Sequence, residues 1–118
     1  MSALALISDL AMQSHVDAAA ARAGMPLEIT GSTEALLAKA EVAQPHLVIL
    51  DLSHPGLDPG QLVPRLVELI GPAAAILAFG PHVHEARLAA AAAAGCHSVI
   101  SRGQFRAQME QILRQYAS

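Results

Sequence analysis

Residues Pro45 to Gly60 read PHLVILDLSHPGLDPG, and the fold is decided here. Leu47 to Leu50 is continuously apolar, with no polar residue alternating into the run. A strand with one wetted face alternates, so an unbroken run of this length suits a strand buried on both faces, as in a parallel sheet covered by helices. Asp51 follows at the carboxyl end of that strand, and Pro55-Gly56 then turns the chain. Ligands of open parallel α/β sheets sit just outside the carboxyl ends of their strands, so a carboxylate at that place is a candidate functional group.

The same alternation of apolar runs and helix-period runs continues in both directions. Leu4 to Ile7 is a short apolar strand, followed by an alanine-rich helical stretch ending near Gly24. Leu27 to Thr30 is a weaker second strand, and Gly31-Ser32-Thr33 supplies cap residues for a helix through about Ala43, stopped by Pro45. Beyond the central stretch, Leu62 to Ile70 reads as a helix whose start is confined by Pro64. Ala74 to Phe79 is a fourth strand, Glu85 to Ala94 a fourth helix ending at Gly95, and Val99 to Ser101 a fifth strand. Phe105 to Tyr116 closes the chain as an amphipathic helix, with Met109, Ile112, Leu113 and Tyr116 on one stripe. Five consecutive βα units imply an α/β fold: a doubly wound, five-stranded parallel sheet with five helices.

Composition narrows the class. The chain has 118 residues, 53% hydrophobic and 14% charged, with a formal net charge of -3. That length suits one domain over residues 1–118, able to bury about 65% of the surface exposed when unfolded. Seven Lys and Arg against ten Asp and Glu leave no basic surplus for phosphates, which argues against nucleic acid as a partner. The single Cys96 excludes an internal disulfide framework and fits a reducing, cytoplasmic setting; it reads as a small buried filler. Every apolar stretch is broken well before the ~20 positions a membrane span needs. No Gly-rich dinucleotide loop or phosphate-binding Walker loop is present.

The residues just past the end of each strand make up the candidate site. Ser8 and Asp9 come after the first strand, and Asp51, Ser53 and His54 after the third. Gly80, His82 and His84 come after the fourth, and Ser101 and Arg102 after the fifth. Two carboxylates, an arginine, hydroxyls and three of the six histidines are thus expected at one end of the sheet. The other three lie elsewhere, His46 and His97 before strands and His15 in the first helix.

The central segment, with TGSTEALLAKAEVAQPH at residues 30–46 and AAAAGCHSVISRGQF at 91–105, resembles the receiver domains of response regulators, the CheY-like family. The resemblance extends over essentially the whole chain and implies the strand order 2-1-3-4-5. It casts Asp51 as phospho-acceptor, with Pro55-Gly56 and Asp58 in matching register. It sets Ser8 and Asp9 at the family's acidic pair, so one of two carboxylates remains, and gives Ser53 the backbone carbonyl that helps bind metal. Gly80 stands where the family has a Thr or Ser hydroxyl, and Val99 where a switch aromatic often sits. Arg102 replaces the family's Lys, and Gly103 the proline after it.

These departures set the chemistry to expect. Phosphoryl transfer to a carboxylate needs a cation to neutralise the anionic partners, and Asp9, Asp51 and the Ser53 carbonyl offer oxygen ligands to Mg2+. Loss of one acid at Ser8 weakens that site. Arg102 has a planar guanidinium suited to paired oxygens and is expected to form a standing ion pair with Asp51. The resemblance implies a signalling domain that is not itself an enzyme, with a histidine kinase or phosphotransfer protein as donor and a further protein as output. Its output face would carry Arg87, Arg106, Glu110 and Arg114. No output domain follows Tyr116, so the domain either acts through another protein or has been cut from a larger one. Without the Gly80 hydroxyl the alternative is a phosphorylation-independent protein-binding module. A further alternative is a transition-metal site built from His54, His82 and His84. Plainer roles stand beside these: a helix cap for Asp9, a turn for Asp51, a solvated Arg102 and surface loop histidines.

Overall fold

A computed structural model describes residues 2–117. The elements run β1 (Ala3–Leu6), α1 (Leu10–Ala23), β2 (Leu27–Thr30), α2 (Thr33–Ala43), β3 (Leu47–Asp51), α3 (Pro59–Ile70), β4 (Ala75–Gly80), α4 (Glu85–Ala94), β5 (Ser98–Ser101) and α5 (Arg102–Ala117). The five strands form one parallel sheet in the order β2-β1-β3-β4-β5. The chain steps from β1 out to β2, then returns past β1 to β3. That reversal, with crossovers of one hand, distributes the helices over both faces of the sheet.

The two-residue period of the strands builds two cores. Leu4, Leu6, Val48, Leu50, Ile76 and Ala78 face α2, α3 and α4. Ala5, Ile7, Leu47, Ile49, Leu77 and Phe79 face α1 and α5. Every residue of β3 is buried, as its unbroken apolar run requires. On the α1/α5 side Phe79 of β4 stacks on Phe105 of α5, with centroids 4.2 Å apart and planes 3° apart. Alanines at 19 and 20 let α1 lie close against the sheet beside that pair.

Element ends differ from the sequence reading where side chains cap the backbone. α3 starts at Pro59, ahead of the expected Leu62. Asp58 caps it, accepting the Gly60 N–H at 3.1 Å, and Pro59 sits in the first turn where a missing N–H costs nothing. Pro64 lies inside this helix and removes one backbone bond without ending it. α5 starts at Arg102 and not at Phe105, because Ser101 Oγ accepts the Gln104 N–H at 3.1 Å and opens the helix early. β1 ends at Leu6, since the Ile7 carbonyl turns to the Gln13 side chain at 2.6 Å. β5 gains Ser98 and β4 slips one residue on to Gly80. Here His97 contributes: its Nδ1 accepts the Ile76 N–H at 3.0 Å, continuing the ladder into the loop before β5.

Candidate functional site

Asp51 ends the central strand and is fully buried. Its Oδ1 accepts the Ser53 N–H at 2.9 Å, and its own carbonyl accepts the His54 N–H at 3.0 Å, so the turn after β3 folds back onto it. Asp51 Oδ2 has no hydrogen-bond partner among the described residues. Leaving a buried charged acceptor unmet costs on the order of 1–3 kcal/mol or more, so such atoms are rare and call for an explanation such as a functional role. β1 brings the second acid alongside: Leu6 pairs with Leu50, and Asp9 follows just beyond.

Asp9 has two bonds. As N-cap of α1 its Oδ1 accepts the Ala11 N–H at 2.9 Å, and its Oδ2 takes an ion pair from Arg102 Nη2. Partial desolvation pushes the Asp9 carboxyl up, but the Ala11 amide and the Arg102 guanidinium outweigh it and hold the group below its ordinary value. The expected pairing of Arg102 with Asp51 is therefore corrected: the guanidinium goes to Asp9. The reason lies in the layers. α1 and α5 pack on the same face, so the first residue of α5 lies beside the cap of α1, even though β1 is one strand farther from β5 than β3 is.

Gly80 ends β4 in a packed place. A Cβ there would stand 3.1 Å from Leu52 Cβ and 3.6 Å from Leu88 Cδ2. Leu52 is itself locked, its N–H donating to the Phe79 carbonyl at 2.8 Å. Any side chain at this position would therefore press its Cβ on Leu52, a residue that sequence reasoning passed over. Its one signal was an apolar side chain inside an otherwise polar turn. Val99 is partly buried and packs on the α2–α4 core. No peptide bond is cis among the described residues, Arg102–Gly103 included.

The histidines do not assemble. His54 is buried, with Nε2 2.8 Å from the Gly31 carbonyl and Nδ1 accepting the Gly56 N–H at 3.1 Å. Those two bonds require the neutral ring protonated on Nε2, which leaves no lone pair for a metal. His82 and His84 are exposed, and His84 precedes α4 without a side-chain cap bond. Among the described residues no three His, Cys, Asp or Glu side chains gather to share a metal ion. The transition-metal grouping of His54, His82 and His84 is corrected accordingly.

The arginines and Glu110 named for the output face are tied elsewhere. Arg87 donates to the Leu57 carbonyl at 2.7 Å, linking α4 to the turn after β3. Glu110 is shared by Arg22 and Arg114, and Arg106 donates to His15 Nε2 at 3.0 Å, so these groups stitch α5 to α1. Cys96 is half-buried against the α2–α4 core, and burial pushes its thiol up to about 11, keeping it unreactive.

The donors at this end of the sheet are oxygens: the open Asp51 Oδ2, the Asp9 carboxylate and the Ser53 backbone carbonyl. Hard oxygen donors suit a small divalent cation, and the unpartnered Oδ2 is an acceptor such an ion would satisfy. Asp9 fits on chemistry but is already paired with Arg102. No helix among the described residues is long and apolar enough to cross a membrane.

No protein-family model and no curated protein matches the sequence. Solved structures do match. The receiver domain of sensor histidine kinase PA1611 from Pseudomonas aeruginosa PAO1 superposes with a TM-score of 0.83 at 17% identity, covering 99% of this chain and 98% of that one. That domain holds a magnesium ion coordinated in its active-site cleft. A response-regulator receiver domain from Bermanella marisrubri gives 0.81 at 20% identity over 100% of both chains. A CheY-like protein (tadZ) from P. aeruginosa PAO1 gives 0.76 at 24% identity, over 98% of each. The chain therefore has the CheY-like receiver fold along essentially its whole length.

Proposed function

We propose that the chain is a receiver domain of a bacterial two-component system, accepting a phosphoryl group on Asp51 and acting through protein contacts. The observation that carries this reading is the Asp51 carboxylate, buried at the end of the central strand with one oxygen held by Ser53 and the other unmet. Receiver structures that match over the full chain support it, one of them holding magnesium in its active-site cleft.

The donor is a phosphohistidine on a histidine kinase or phosphotransfer protein. A carboxylate oxygen of Asp51 attacks phosphorus in line; the O–P bond forms as the P–N bond breaks, and the imidazole keeps the electron pair and takes a proton from solvent. The Ser53 N–H donates to Oδ1 and orients the carboxylate before the donor arrives. Asp9, Asp51 and the Ser53 carbonyl would hold Mg2+, which supplies charge neutralisation for the anionic partners when bound. Arg102 supplies a second positive charge at the mouth of the site. The turn after β3 must open for the donor, because Asp51 is fully buried.

A second reading rests on Gly80. With no side-chain hydroxyl at Gly80 and Leu52 close against it, the chain would serve as a protein-binding module whose contacts do not depend on phosphorylation. Intact mass after incubation with acetyl phosphate and Mg2+ separates the two. One phosphoryl group gained by wild type and lost in Asp51→Asn supports the first; no gain by a folded wild type leaves the second.

A further inference from the structure

The Asp9 carboxylate is wanted by two cations. It is the carboxylate that follows β1 at the carboxyl end of the sheet, and Arg102 already holds it. Neither side chain is deeply buried: Arg102 is 34% and Asp9 38% exposed, so the pair can exchange with solvent and does not cost a buried charge to open. Ser8, beside it, is exposed and offers no second negative charge. Asp9 Oδ1 accepts the α1 cap amide, and Oδ2, the oxygen turned away from the cap, is the one Arg102 holds.

We propose that Arg102 is an intramolecular competitor for the divalent cation: it closes on Asp9 Oδ2 when the site holds no metal ion and is released when Mg2+ takes that oxygen. The inference rests on the metal reading above and adds its regulation. Cation loading and the position of Arg102 are then one equilibrium, and the guanidinium fork is freed for anionic oxygens only in the loaded site.

The test is a titration with MgCl2 at constant ionic strength, following the Ala11 and Ser53 amide signals by NMR in four proteins: wild type, Arg102→Gln, Asp9→Asn and the double variant. Asparagine caps a helix as well as aspartate does, so the fold of α1 is retained. Competition predicts that Arg102→Gln binds Mg2+ more tightly, on the order of fivefold for a partly exposed ion pair. It also predicts that this gain vanishes in the Asp9→Asn background. The Arg102 side-chain Nε–H signal of wild type should move along the same Mg2+ curve. Equal affinity in wild type and Arg102→Gln overturns the competition while leaving the metal reading intact. A gain that persists with Asp9→Asn overturns it too, since only general repulsion would then be at work. No saturable binding in any of the four overturns the metal reading and the competition together.

Discussion

Gly80 shows how much one missing side chain can report. In a strand, Gly weakens pairing and packing, so its presence at the end of a buried strand needs a cause. The cause is Leu52, whose Cβ would stand 3.1 Å from a new Cβ. Restoring the hydroxyl with Gly80→Thr should therefore destabilise the protein by about 1–3 kcal/mol, the usual range for overpacking a filled core. Urea denaturation measures this; an unchanged midpoint would mean Leu52 yields freely and the site is less committed than its packing indicates. That Asp51 and Asp9 lie at the carboxyl end of the sheet was legible from the sequence, because each comes at the end of an apolar strand or just after it. Their different fates were not. Which carboxylate Arg102 would reach depends on helices sharing a face, and the order of residues along the chain does not encode that directly.

At the scale of elements, α5 is held to the molecule by two unlike devices. Its apolar stripe, Phe105, Met109 and Leu113, packs on the sheet and on α1, and Phe105 stacks on Phe79 of β4. Phe105→Ala should cost about 3–5 kcal/mol, read as a lowered denaturation midpoint, because it opens a cavity under the helix and removes the ring contact. Its polar side is tied to α1 by Glu110. The hydrogen bond from Arg22, then that from Arg114, hold the Glu110 carboxyl below its ordinary 4.5 against a smaller desolvation. A carboxyl depressed in the folded state stabilises above its unfolded pKa, and that contribution fades as pH falls through the lower folded value. Glu110→Gln should flatten the loss of stability with pH below 4.5, as thermal melts across that window would show. An unchanged pH profile would mean the exposed network contributes nothing, as many surface ion pairs do. The amphipathic stripe of α5 was visible in the sequence by its period. The early start of the helix at Arg102 was not, since it depends on Ser101 Oγ capping Gln104, a contact that hydrophobic periodicity cannot register.

Across the whole molecule, the parallel sheet places every strand's carboxyl end at one edge, and the unmet oxygen of Asp51 lies there. The fold was readable because each local signal agreed with the next: a doubly buried β3, alternating helices, and glycine or proline at the joins. The histidines misled because residue type and loop position do not say which ring nitrogens are already bonded; both nitrogens of His54 are spent on backbone groups. What the fold leaves to decide is whether Asp51 works as an acceptor. The most direct measurement traps the product. After incubation with acetyl phosphate and Mg2+, borohydride reduces an acyl phosphate to an alcohol and so converts a phosphorylated aspartate to homoserine, which peptide sequencing by mass spectrometry locates. The prediction is homoserine at position 51 alone, absent when acetyl phosphate is withheld. Homoserine at another acid, or none in folded protein, would contradict the assignment of Asp51 as the phospho-acceptor.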